Sequence, residues 1–162
     1  MNRFKKLFVF FFILLIHWND LYAQKELVPY MDYSRCLTGF KSNSGARIWE
    51  PEFEFVQPCS LHGFDPKDYT HWLVKHQSGL LGLLDEKGKM VIPFVYEELT
   101  SCRNELFIAK KEGRCGIIRT DGSVVVAFLY EEIILTEYGY RLMKNGVLGI
   151  MDSNFKVLLE PQ

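Results

Sequence analysis

A basic excess, a helical period beyond residue 24 and a nucleophile motif are all missing from this chain. Each absence narrows what it can do. Its 19 Lys and Arg stand against 20 Asp and Glu, so it has no basic face to hold a phosphate backbone, which excludes a nucleic-acid partner. Apolar residues do not recur three and four apart after residue 24, so amphipathic helices are excluded as its building blocks. Neither a serine elbow nor a cysteine–histidine signature is present, which leaves no recognisable nucleophilic enzyme. Long apolar runs are nearly absent too. The one that occurs, residues 7–16, spans only about 15 Å as a helix, half a bilayer core.

That run lies in a specific order of segments. Arg3, Lys5 and Lys6 precede it and a more polar stretch follows to Ala23, the order of a secretory signal peptide over residues 1–23. Leu21 is large for its place two before the expected cleavage after Ala23. The expected product is periplasmic or extracellular, with no stable membrane insertion after cleavage and, lacking a cysteine at the exit, no lipid anchor. It keeps 139 of the 162 residues, one domain by length. Loss of three basic residues and Asp20 moves the formal charge from −1 to −3. A domain of this size buries about two thirds of its unfolded surface and needs no crosslink to fold.

Glycine is where the chain is organised. Gly82, Gly116 and Gly149 recur 34 and 33 residues apart, and a fixed period of that size signals a repeat architecture. Before each lies a turn dipeptide, Ser78-Gly79, Glu112-Gly113 or Asn145-Gly146. Nine residues later comes a second, Lys87-Gly88, Asp121-Gly122 or Asn154-Phe155. Such dipeptides accept positive φ and join antiparallel strands tightly. The five- to eight-residue Ile- and Val-rich runs between them are strand-sized. The expected fold is all-β: tandem three-stranded antiparallel units in a short open solenoid or propeller-like array. A connector or short turn is expected to begin at each Tyr-Glu-Glu.

The expected layout is an extended lead-in over 24–35 and a repeat domain over 36–162. Within the domain, a degenerate repeat covers 36–56, a loop 57–71, and clear repeats 72–101, 102–135 and 136–162. Gly39, Gly45 and Phe53 of the degenerate copy match Gly82, Gly88 and Tyr96 at an offset of 43. Glycine inside a strand costs about 0.5–1 kcal/mol against alanine, so its recurrence predicts a close steric approach by a neighbouring strand or ring. Tyr96, Tyr130 and Phe53 are the expected rings. Leu83, Ile117 and Ile150, with Val91 and Val125, are expected to form a continuous core between copies, because one such unit cannot bury its own apolar face.

The motif Gly82-Leu-Leu-Asp85, Gly88-Lys-Met-Val-Ile-Pro93 and Tyr96-Glu97 resembles the WG repeat family. The resemblance covers residues 72–162 and, weakly, 36–56. Leu81, Cys115 and Leu148 stand where that family has its tryptophan, Ala127 replaces Pro93, and Phe155 replaces Gly122. Gly82, Gly88, Tyr96, Gly116, Gly122, Tyr130 and Gly149 are then the repeat-defining positions. The resemblance implies a β-rich scaffold associated with binding.

Several residues carry possible chemistry. Glu97-Glu98 and Glu131-Glu132 supply paired carboxylates, as glycoside hydrolysis requires. They occupy equivalent positions in successive copies, however, which favours a structural role as turn acceptors. Cys59, His62, His71 and His76 are zinc-ligand types, but spacings of 3, 9 and 5 match no standard site, and no metal or other cofactor is expected. The four cysteines allow three pairings in an oxidising compartment. Spacing prefers Cys36 with Cys59, and Cys115, inside a strand, is a candidate buried thiol. Trp49, Tyr69 and Trp72 flank the long loop and are the candidate ligand-binding face. The leading expectation is a non-catalytic module binding a protein, peptide or glycan in the cell envelope. The alternatives are an envelope glycan hydrolase using the repeat-borne carboxylates and a structural spacer or assembly protein.

Overall fold

The dipeptides that open the repeats behave as their chemistry requires. Glu112 and Gly113 have φ of 53° and 71°, and Asn145 and Gly146 have 52° and 73°. Both central residues of each turn are therefore left-handed, the geometry that reverses a chain between twisted antiparallel strands. Gly79, Gly88 and Gly122 also have positive φ. At the second turn, side chains help. The Asp85 carboxylate accepts the amides of Lys87 and Lys89 at 2.9 and 2.8 Å, and Asp152 accepts those of Asn154 and Lys156, both at 2.9 Å.

The computed structural model describes residues 27–59, 69–102 and 105–161. The expected leader, the start of the lead-in and most of the 57–71 loop, with His62, lie outside the described residues. Within them all regular structure is β, in three antiparallel sheets. The first joins β1 (Leu27–Asp32), β2 (Leu37–Ser42), β3 (Arg47–Cys59), β4 (His71–His76), β5 (Leu81–Asp85) and β6 (Met90–Tyr96) in that order. The second contains β7 (Glu98–Ser101), β8 (Leu106–Lys111), β9 (Arg114–Arg119) and β10 (Val124–Tyr130). The third contains β11 (Glu132–Thr136), β12 (Gly139–Lys144), β13 (Val147–Asp152) and β14 (Val157–Leu159).

Two expectations change here. The repeating unit has four strands, not three, because the Tyr-Glu-Glu connector is no turn. β7 and β11 start there and lay the first strand of the next sheet. The chain changes sheet at a single residue each time, Glu97 and Glu131. The lead-in is likewise a strand: β1 pairs with β2 along its whole length. The degenerate copy is therefore β1, β2 and the first half of β3.

β3 is the exception to the one-residue crossing. Trp49 and Phe53 pair with Phe40 and Thr38 of β2, whereas residues 53–59 pair with β4. One thirteen-residue strand thus closes the first unit and opens the second. The ladder shifts register between the Phe40–Trp49 and Thr38–Phe53 pairs, a bulge that accommodates Pro51, which has no amide to donate.

Successive units cover one another. Leu27, Phe40 and Phe53 pack with Trp72, Val74 and Leu84 of the next unit. Leu83, Ile92 and Tyr96 pack with Leu99, Phe107 and Ile118 of the unit after. Ile117, Cys115 and Tyr130 pack with Ile133, Leu142 and Met151 of the last. The second sheet is buried on both faces, which explains the unbroken apolar run Cys115-Gly-Ile-Ile118. Each fully buried Leu, Ile or Phe contributes roughly 1.5–3 kcal/mol relative to exposure.

The recurrent glycine has its steric reason, although the ring is not the expected one. A Cβ on Gly116 would sit 2.7 Å from the Val126 carbonyl oxygen and 3.0 Å from Phe128 Cδ1. On Gly82 it would meet Phe94, and on Gly149 it would meet Pro161. The ring over the glycine therefore comes from two residues before the expected tyrosine. Tyr96 instead stacks on Phe128, centroids 6.0 Å apart.

Candidate binding surface

Trp49, Tyr69 and Trp72 do not gather into an exposed face. Trp72 is 2% exposed, edge-on to Phe40 with centroids 5.2 Å apart. Trp49 is half-buried against Phe53 and Phe94. Its indole Nε1 donates to the Gly88 carbonyl oxygen at 2.7 Å, so it pegs the first unit to the second. Gly88 suits that approach, since Ile48 and Leu27 also crowd its missing side chain. Tyr69 is half-buried at the start of the second described segment.

The repeated carboxylates hold turns. Glu97 accepts the amide of Gly113 with both oxygens, at 3.1 and 3.3 Å. Glu131 accepts the amides of Asn145 and Gly146, each at 3.1 Å. At the crossing, the main-chain amides of Glu97 and Glu131 donate to the carbonyl oxygens of Lys110 and Met143, both at 2.8 Å. Each glutamate that leaves one sheet thus fastens the hairpin of the next. Glu98 pairs with Lys110 at 2.9 Å.

The preferred Cys36–Cys59 bridge is not formed. Cys36 is exposed at the β1–β2 turn, whereas β3 runs on past the start of β2 before reaching Cys59. By register the two lie roughly 13 Å apart, beyond the reach of a disulfide, whose Cα atoms stand within about 7 Å. Burial pushes the Cys59 and Cys115 thiols above their ordinary pKa, while Ser101 and Lys110 respectively oppose the rise. Cys115 is the expected buried free thiol, and its Sγ donates to the Glu131 carbonyl oxygen at 3.5 Å. His76 stacks on Phe94 at 5.6 Å and bonds Ser78 through Nδ1 at 2.9 Å. Among the described residues no three His, Cys, Asp or Glu side chains gather as metal ligands.

Two other features face solvent. A groove of about 240 Å³ opens between the second and third sheets. Leu106, Leu135 and the stacked pair Tyr140–Phe155 line it, with Arg119 and Ser153. It is smaller than the usual small-molecule pocket, about 300–1,000 Å³.

The second feature is the outer face of the last sheet. Leu83 and Ile117 occupy one repeat position and are 0% exposed, yet their equivalent Ile150 is 50% exposed. Ile150 therefore leaves the continuous core expected of it. Leu148, at the position of Leu81 and Cys115, is exposed to the same degree, and Leu158 and Leu159 are exposed beside it. Arg141 and Ile134 complete a row across Ile150, and Met143 and Glu132 a row across Leu148. In the sheets before it, this face is covered by the following unit. Sequence reasoning missed the patch because the three copies read alike; only position in the stack distinguishes the last.

Stacked antiparallel units that recur with a glycine-centred period define an all-β repeat protein. The model of the WG containing repeat matches residues 82–115, from the glycine of β5 to the residue before its equivalent in β9. Residues 82–115 thus form a WG containing repeat. Neither a curated protein nor a solved structure matches it.

Proposed function

We propose that this chain is an exported, non-catalytic binding module whose stacked units present the outer face of the third sheet to a partner. The stack is an open array in this reading, and its third sheet presents a face built like the internal joints. The observation that carries it is the contrast between Leu83 and Ile117, which are fully buried, and Ile150, which is half exposed. Exposed apolar patches rimmed by polar residues mark interaction sites in soluble proteins. The face is one side of a four-stranded sheet and not a concave pocket, which suits a protein surface better than a small molecule. Its compartment, periplasmic or extracellular, rests on the signal-like order of the first 23 residues.

Immobilised protein exposed to an envelope extract is expected to retain a partner. Ile150→Lys is expected to lose it while keeping the melting temperature of the parent, since Ile150 is outside the cores. Equal retention by the parent and Ile150→Lys would reject this face. The same preparation assayed on a glycan panel addresses hydrolysis: product formation lost in Glu97→Gln and Glu131→Gln would replace the present reading.

A further inference from the structure

We infer that the outer face of the third sheet is the docking site for a second copy of this chain, packed face to face about a two-fold axis. This rests on the binding-module reading and names the partner. The first argument is continuity with the joints inside the molecule. The face that buries Leu83 and Leu81 against the second sheet, and Ile117 and Cys115 against the third, presents Ile150 and Leu148 in the same places on the last sheet. Its shape is therefore already that of a sheet-on-sheet joint in this fold, and the occupant that suits it is another apolar sheet face.

The second argument selects which face of the other copy meets it. Head-to-tail stacking would bring the first unit's opposite face onto Ile150, and that face sets the charges of Asp32, Lys41 and Arg47 among Val28 and Leu37. It carries Tyr30, whose hydroxyl donates to the Trp49 carbonyl oxygen, with Arg47 over its ring at 6.0 Å, and it carries Lys41. Arg47 is itself paired with Glu50 at 3.1 Å. Burying these charges against Ile150 and Leu148 would remove their hydration. Pairing of the last sheet with its own copy buries apolar rows on both sides.

The third argument is charge. Arg141 and Glu132 stand on this face with opposite signs, and among the described residues neither makes a salt bridge. A surface that pairs with itself must carry both members of any ion pair, and this one does. Such a joint is closed: it makes dimers and stops.

Sedimentation velocity of the purified exported chain, beginning after Ala23, over a concentration series is expected to show a reversible monomer–dimer equilibrium. Ile150→Lys sets like charges against each other across the axis and is expected to weaken the dimer at least about tenfold. Leu148→Lys is expected to do the same, and both variants should keep the parent's melting temperature. Parent protein that stays monomeric throughout would overturn the inference. So would a dimer indifferent to both substitutions, or assembly that grows past the dimer as head-to-tail stacking would. A monomeric parent that still loses its envelope partner on Ile150→Lys would end self-pairing alone and leave the binding module standing. No effect of Ile150→Lys on either would end both.

Discussion

At the scale of single residues, Gly116 shows most directly why this chain repeats as it does. Its hydrogen is the only substituent that fits beneath Phe128 and the Val126 carbonyl. Gly116→Ala is expected to destabilise the protein by about 2 kcal/mol through overpacking, read as a lower denaturant midpoint. Phe128→Ala should relieve part of that strain, so the double variant should be more stable than the sum of the singles implies. A double-mutant cycle measures that coupling. Thiols give a second test at this scale. Cys36 is exposed, whereas Cys59 and Cys115 are buried with their pKa raised by burial. Iodoacetamide should label Cys36 promptly and the buried pair only on unfolding. Because the folded pKa of the pair is raised, their stabilising preference for the neutral thiol holds below the unfolded thiol pKa. It fades as pH climbs through the folded value. Labelling of Cys115 should therefore stay slow at mild alkaline pH, as peptide mass spectrometry would show.

At the scale of elements, the crossing glutamates matter most. Glu131 ties the end of the second sheet to the Asn145-Gly146 turn of the third. Glu131→Ala is expected to cost about 1 kcal/mol, the size of an ordinary hydrogen-bonding contribution. It should raise amide exchange at Asn145 and Gly146 before any other turn. The turns themselves were legible in the sequence, because Glu112-Gly113 and Asn145-Gly146 announce a two-residue reversal by composition alone. The strands after Tyr96 and Tyr130 were not. β7 is only Glu98-Leu-Thr-Ser101, with Leu99 its one buried residue, and so short a strand has no alternation to detect. The bend of β3 was hidden for another reason. Glu50-Pro51-Glu52 looks like a breaker, yet pairing on either side carries the strand through it. Nor could composition say that Trp49 and Trp72 point inward, since aromatic residues beside a loop serve cores and ligands alike. Burial there depends on which unit lies next door.

Considering the whole molecule, no unit stands alone: every core draws side chains from two neighbouring units. Ending the chain at Glu131 would strip Ile117 and Cys115 of Ile133, Leu142 and Met151. The shortened protein is expected to aggregate or to melt at a much lower temperature, which light scattering and calorimetry would show. Phe53→Ala tests the opposite end. Phe53 is fully buried where β3 passes from one unit to the next, and its loss should cost about 3–5 kcal/mol. The shared strand also gives the polypeptide an uneven mechanical character. Drawn apart by its two ends, the chain holds its last two sheets to their neighbours through one residue of main chain each. The amino-terminal pair has a backbone in common and cannot be peeled into halves. A pulling experiment should record two short releases and one long one, and the long one should belong to the amino-terminal half.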